Sequence, residues 1–497
     1  MRTRLGRKVF KALRPKPRAI TRRGLLAGAL AGGLAMPACA ARGQDGLPIV
    51  VIGAGIAGLT AALTLQDLGA TVEVYEASRR LGGRVHTVSE EFAPGVQTEY
   101  GAEFIDTAHT DMLALARRFD LPLTALADAP AGPAPAKAFY LAGARQSGQR
   151  LTTLLAPLSA RLQRDSQRLD EEGWRAEAAL DALSVQDYLD QGPPLDPLAL
   201  SLVEAAIRSE FGVEMAQSSA LQLLDAGADF ASADEEGAQR DAAEAFTLTG
   251  GNQRLIEAMA AALRQPPQTG KRLAWLRGSL ENGFDAIMLG GQVVRASQVV
   301  LALPPRALAG VRLDVALPQP LRAWFARLTL GQNEKAIFGF RGRPWQAAGG
   351  FSAEAFGDWG FTSVWDSARR HPTVDGALSF FQGANLAAAG LPADPALLAG
   401  LDRFVPVSHA FNGRAHRTAW GTDSLIGGGY LSLGPGQRTD PQRPRWEESH
   451  TDHAVRPVVH EGVAFVGEHL SEEFYGFMNG AAQTGRLAAH WLLNRRR

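Results

Sequence analysis

The sequence predicts an α/β protein, a doubly wound parallel-sheet domain interrupted by an inserted α+β domain of helices and mixed sheet. Three observations predict it. An apolar strand, a glycine cluster, a helical pattern and a second strand follow one another within residues 48–84, the order of a βαβ unit. Apolar residues at helical spacing then run through 151–224, broken by Gly192-Pro193-Pro194, which reads as a helical insertion. Strand patterns return at 285–289, 298–303 and 462–466, and a last helix is predicted over 479–493. A chain of 497 residues exceeds one ordinary core, so two domains are expected. The discontinuous domain would take residues 48–125, 246–310 and 455–495, and the inserted one 126–245 and 311–454. The stretch 129–136, APAGPAPA, reads as a loop or crossover.

Each part of the first unit has a physical reason. Gly53 permits a tight turn after the strand 49–52, Gly55 leaves room for a pyrophosphate against the backbone, and Gly58 lets the helix pack close to the strand. The helix N-terminus offers unpaired N–H groups and a positive dipole end to phosphates. The second strand, 71–75, ends in Glu76, placed where a carboxylate accepts hydrogen bonds from an adenosine ribose. A dinucleotide cofactor is therefore expected. The sequence continues Arg80-Leu81-Gly82-Gly83-Arg84. This resembles the turn by which flavoproteins of the glutathione-reductase-like class approach the FAD diphosphate. The resemblance implies FAD in a Rossmann-type domain, with Gly82 and Gly83 giving close backbone approach and Arg84 supplying charge.

The amino end predicts a destination. Ten Lys or Arg and no acid lie in the first 23 residues, and a Gly/Ala/Leu run at 24–35 leads to Pro37-Ala38-Cys39-Ala40. Basic region, short apolar region and small-residue site predict a signal peptide over 1–40, and the run is too short to span a bilayer. Thr21-Arg22-Arg23-Gly24-Leu25-Leu26 resembles the bacterial twin-arginine signal. That implies recognition by the twin-arginine export machinery, a periplasmic or secreted location, and no membrane span in the mature protein. Cys39 is the only cysteine; lipidation there is the alternative to cleavage after Ala40. Cleavage would leave no thiol for a disulfide, metal site or nucleophile. Removing the ten leader charges leaves 41 basic against 51 acidic residues, near −10. With no basic stripe elsewhere, a nucleic-acid partner is not expected. No metal site is expected either.

At several further segments the chain resembles the flavin-containing amine oxidases, which include monoamine, polyamine and L-amino acid oxidases. The segments are EYGAEFID at 99–106, FTLTGGNQRL at 246–255, VVLALPP at 299–305, GQNEK at 331–335, the stretch 420–436, GEH at 467–469 and GFMNGA at 476–481. The resemblance implies that backbone at Gly101, Ala102, Glu103 and Phe104 passes the isoalloxazine. It places Lys335 at the family lysine, bonded through a water to flavin N5. It makes Tyr430 (spaced from Trp420) and Phe477 two cage aromatics that hold an amine over the ring, with Trp420 as a substrate-lining residue. Glu468 matches an acid near the ribityl or pyrophosphate region, and Met478 opens a helix aimed at the flavin. Gly429 stands where covalent monoamine oxidases carry a flavin-linking cysteine, so FAD is expected to be held non-covalently.

Asp106 carries two readings, a substrate-lining carboxylate favouring a cationic amine or a helix N-cap. The arginine that many L-amino acid oxidases carry after the GGR turn is absent from 85–89, leaving Arg208 or Arg254 as substitutes. The implied activity is oxidation of an amine to an imine, hydrolysed to an aldehyde or oxo product, with oxygen or a quinone as acceptor and oxygen giving peroxide. The rivals are an L-amino acid oxidase or dehydrogenase, a flavin desaturase, and a non-catalytic FAD-binding protein that holds a partner.

Overall fold

A computed structural model describes residues 46–126, 134–227, 245–369, 371–388, 394–447 and 458–494. The expected leader 1–40, with Arg22, Arg23 and Cys39, lies outside these residues, as does most of the 129–136 loop. No described helix is long and apolar enough to cross a membrane.

Strands from distant parts of the chain build the first sheet. Its order is Val459–His460, Val463–Phe465, Gln298–Leu301, Ile49–Ile52 and Val72–Tyr75, parallel except for the first pair. Every residue of Ile49–Ile52 is buried, because a central parallel strand is covered on both faces; this is why it reads as an unbroken apolar run. The Ile56–Asp67 helix buries nine of its twelve residues. It packs against the last helix, Met478–Asn494, so closely that a Cβ at Gly485 would lie 2.3 Å from the Ala57 carbonyl oxygen. A second, four-stranded sheet joins Val293–Ala296, Gly283–Met288, Leu273–Ser279 and Arg312–Asp314. Its last strand lies just past residue 310, where the sequence reading placed the domain edge.

The third sheet has seven strands, in the order Phe411–Arg417, Asn333–Phe340, Gly376–Gly383, Ser363–Asp366, Glu354–Gly357, Lys137–Leu141 and Ala144–Gln146. Beside it stand the helices Gly148–Glu172, Trp174–Asp181, Val185–Asp190, Pro197–Phe211 and Ala220–Gly227, which share an aliphatic core. Their ends follow local chemistry. Ser147 accepts the Arg150 N–H, Ser184 and Asp187 cap each other reciprocally, Asp196 accepts the Leu198 N–H ahead of Pro197, and Gly212 stops its helix at φ 65°.

Candidate active site

One large cavity runs from the first sheet to the third. Counting its open mouth, it holds about 1590 Å³ of empty space. At one end it is walled by Gly53, Gly55, Glu76 and the Arg80–Arg84 turn, and at the other by Lys335, Phe381, Trp420, Tyr430 and Phe477.

The glycines divide by function. Gly53 has φ 104°, and a Cβ there would sit 2.4 Å from the Ala302 carbonyl oxygen; one at Gly58 would sit 1.9 Å from that of Gly53. The protein's own backbone demands both. Gly55 differs, because its Cβ would meet only Gly82, at 3.7 Å. That Cβ would point into the cavity, so the bare backbone at Gly55 suits a group lying against it. Glu76 accepts the N–H groups of Ala54 and Ser78 at 2.7 Å each, which holds its carboxylate at the cavity wall with lone pairs to spare. Gly83 lines the wall, and the turn is braced by Arg80, whose guanidinium donates to the carbonyls of Leu81, Gly83 and Val85.

Arg84 lines the cavity, but its charge is shared. Nη1 donates to the Gly429 carbonyl at 2.6 Å and to Glu468 at 2.8 Å. Glu468 is fully buried and also accepts the Gly476 N–H at 2.6 Å. Burial pushes its carboxyl up, yet Arg84 and neighbouring His469 outweigh that and hold it below the usual range. His469 is itself pushed down to about 4, chiefly by burial. The pair ties the GGR turn to the N-terminus of the last helix, where Gly476, Phe477, Met478 and Ala481 line the cavity.

Lys335 lies in the Asn333–Phe340 strand, buried at all eight positions. Its Nζ donates to Glu99 O at 2.7 Å, Gly101 O at 3.1 Å and Glu103 Oε2 at 2.7 Å. An ammonium has three donors, and these three acceptors match them in number. Glu334 faces the other way, accepting from Thr418 Oγ1 and the Gly421 N–H; it thereby fixes the turn carrying Trp420, whose Nε1 donates to Tyr100 O at 3.2 Å. Tyr430 is buried and donates to Ser209 O at 2.5 Å. Phe477 packs against His109, with ring centroids 5.1 Å apart.

Of the segment 99–106, Tyr100, Gly101 and Ala102 line the cavity, whereas Glu103, Phe104 and Asp106 are not among its lining residues. Glu103 is committed to Lys335 and to Trp365 Nε1, 3.1 Å away. Phe104 turns toward the Trp365 ring, 6.0 Å between centroids. Both readings of Asp106 need correction. It is buried off the cavity, its N–H donates to His109 Nδ1, and the N-cap of the Thr110–Arg118 helix is His109. Nor do Arg208 and Arg254 line the cavity. Arg208 is bound by the Glu214 carboxylate at 2.8 Å, and Arg254 donates to Thr249 O.

The sequence reading missed Phe381, Asn333, Lys271, Arg272 and Asp423, which also line the cavity. Phe381 is the register partner of Lys335 across two antiparallel strands, and no local pattern marks such a pairing. Lys271 has a local trace, since it follows Gly270 at the start of a strand pattern, but its place depends on its N–H donating to Glu76 O at 2.7 Å.

An α/β fold whose cavity starts at a glycine-rich strand–helix turn and ends among aromatic residues is the arrangement of a nucleotide-cofactor-binding protein. The chain belongs to the flavin-containing amine oxidoreductase family, whose model matches residues 56–493. It is 24% identical over 470 residues to (S)-6-hydroxynicotine oxidase of Paenarthrobacter nicotinovorans, covering 90% of this chain and 99% of the relative. Cyclohexylamine oxidase from Brevibacterium oxydans IH-35A superimposes with a TM-score of 0.74 at 24% identity, over 90% of this chain and 99% of that one. Putrescine oxidase bound to putrescine gives a TM-score of 0.72 at 21% identity, with the same coverage. The protein is thus a flavin-dependent enzyme that oxidises amines, and FAD is the cofactor to which the bare backbone at Gly55, the Glu76 carboxylate and the long cavity correspond.

Proposed function

We propose that the enzyme oxidises a neutral primary or secondary amine that carries no α-carboxylate, with oxygen as acceptor and hydrogen peroxide as product. The observation that carries this reading is the state of the cations. At the aromatic end Lys335 has its donors engaged and Arg84 is paired with Glu468, while Arg208 and Arg254 lie off the cavity wall. Arg272 lies beside Lys271, in the segment bonded to Glu76. No described lining residue thus offers the aromatic end a guanidinium fork for a carboxylate, the feature that α-amino acid recognition calls for.

FAD, when bound, would supply the redox chemistry as acceptor of a hydride equivalent from the carbon bearing the nitrogen. Tyr430 and Phe477 hold the amine and exclude water, and Lys335 holds the 99–103 backbone against the ring. The imine then hydrolyses to an aldehyde or oxo product, releasing ammonia or a smaller amine. With no cysteine at Gly429, the flavin is held non-covalently. The leader charges and twin-arginine pattern support export of the folded, FAD-loaded enzyme to the periplasm or beyond.

Anaerobic mixing with a panel of amines and amino acids tests the reading. Amines should bleach the yellow flavin and α-amino acids should not; on admitting oxygen, peroxide should appear in proportion to amine consumed. Bleaching by an α-amino acid and by no simple amine would overturn it.

A further inference from the structure

We propose that Glu103 is a positioning residue that balances the charge of Lys335, so that the flavin ring meets a neutral ion pair instead of a bare cation. This rests on the reading that the ring lies against the Lys335 end of the cavity.

The geometry is that of a built socket. Lys335 and Glu103 are both buried, with side chains 1% and 6% exposed and 2.7 Å apart. The other Glu103 oxygen accepts from Trp365 Nε1 at 3.1 Å, so both ends of the carboxylate are fixed. The ammonium also stands over the Trp365 ring, 5.2 Å from its centroid. Two backbone carbonyls complete the socket, so the ammonium of this cavity-lining lysine is held by three protein acceptors. Glu99, the other carboxylate at this point, is pushed up to about 8, mainly by burial. Glu103 is the carboxylate whose side chain meets Lys335 directly, whereas Glu99 meets it through its backbone carbonyl. Burying an ion pair brings little or no net stability, so a pair with Lys335 at the cavity wall and Glu103 directly behind it calls for an electrostatic role.

A charge beside a redox ring acts through Coulomb's law on the state with more electrons. Reduction adds negative charge to the flavin, so an unbalanced Lys335 would raise its midpoint potential and an unbalanced Glu103 would lower it. The test measures that potential in the FAD-loaded wild type, Glu103→Gln, Lys335→Met and the double variant, with flavin content as control. Glu103→Gln should shift the potential upward and Lys335→Met downward, and the double variant should return close to wild type. That return is the sum of two opposite charge effects on the same ring; structural damage, which carries no fixed sign and would add in the double variant, would not produce it. A Glu103→Gln potential equal to wild type, or a double variant equal to Lys335→Met, overturns the proposal. Should Glu103→Gln fail to fold, the comparison of Lys335→Met with the double variant still decides, since the double variant removes both charges together. A wild type without flavin overturns the cofactor reading and this one with it. Loaded flavin with unmoved potentials overturns the ion-pair role alone.

Discussion

Glu99→Gln isolates the cost of a buried carboxylate. Glu99 accepts from Thr87 Oγ1 at 2.8 Å and from the Asn252 N–H at 2.7 Å. It faces Glu103, which raises its proton affinity further, and Lys335, which lowers it. Burial is the largest effect, moving its carboxyl from 4.5 to about 8. The sign follows from proton counting: between these values the folded state holds a proton that the unfolded chain has released, so stability falls as pH rises through the interval. At about 1.36 kcal/mol per unit, the wild type should lose roughly 3–4 kcal/mol between pH 5 and pH 8 at this site, then level off. Gln keeps the shape, accepts from Asn252 and meets Thr87 with its amide, but binds no titrating proton. The variant should therefore be similar to wild type at pH 5 and more stable at pH 8. Thermal melts of both proteins at both pH values give a double difference in which the pH dependence of flavin binding cancels. An equal gap at the two pH values, or a variant weaker at pH 8, would show that Glu99 is ionised in the native state and the reasoning wrong.

The fingerprint glycines should separate in experiment: Gly55→Ala should fold normally but lose flavin, whereas Gly58→Ala, whose Cβ would lie 1.9 Å from the Gly53 carbonyl oxygen, should lower the melting temperature. Purified protein with flavin that melts like wild type in both cases would contradict this. Acid precipitation of the holoenzyme should release all the yellow colour into the supernatant, and colour kept in the pellet would reveal a covalent link. Glu76→Ala should weaken FAD retention by roughly 1.5–3 kcal/mol for each charge-assisted bond lost, read as a rise in Kd. Arg22→Lys combined with Arg23→Lys should leave folded, yellow enzyme in the cytoplasm; undiminished export of that variant would rule out the twin-arginine route.

What the sequence determined by itself is what depends on neighbours along the chain. The strand, turn and helix of residues 49–67 follow from apolar runs and from glycines whose roles are local, as Gly53 demonstrates with φ 104°. The caps at Ser184 and Asp196 are equally local. Family motifs added Lys335, Tyr430, Phe477 and Glu468, all of which line the cavity. Tertiary structure decided what those side chains touch. Lys335 reaches Glu103 across 232 positions, and Arg84 reaches Glu468 across 384. Asp106, which the motif offered as a substrate-lining carboxylate or a helix N-cap, is buried off the cavity. Phe381 enters the cavity through strand register alone. A motif states which residue types occupy which positions; whether a charge faces a cofactor or is cancelled by a partner depends on burial and on contacts hundreds of residues apart, and these exist only once the sheets have closed.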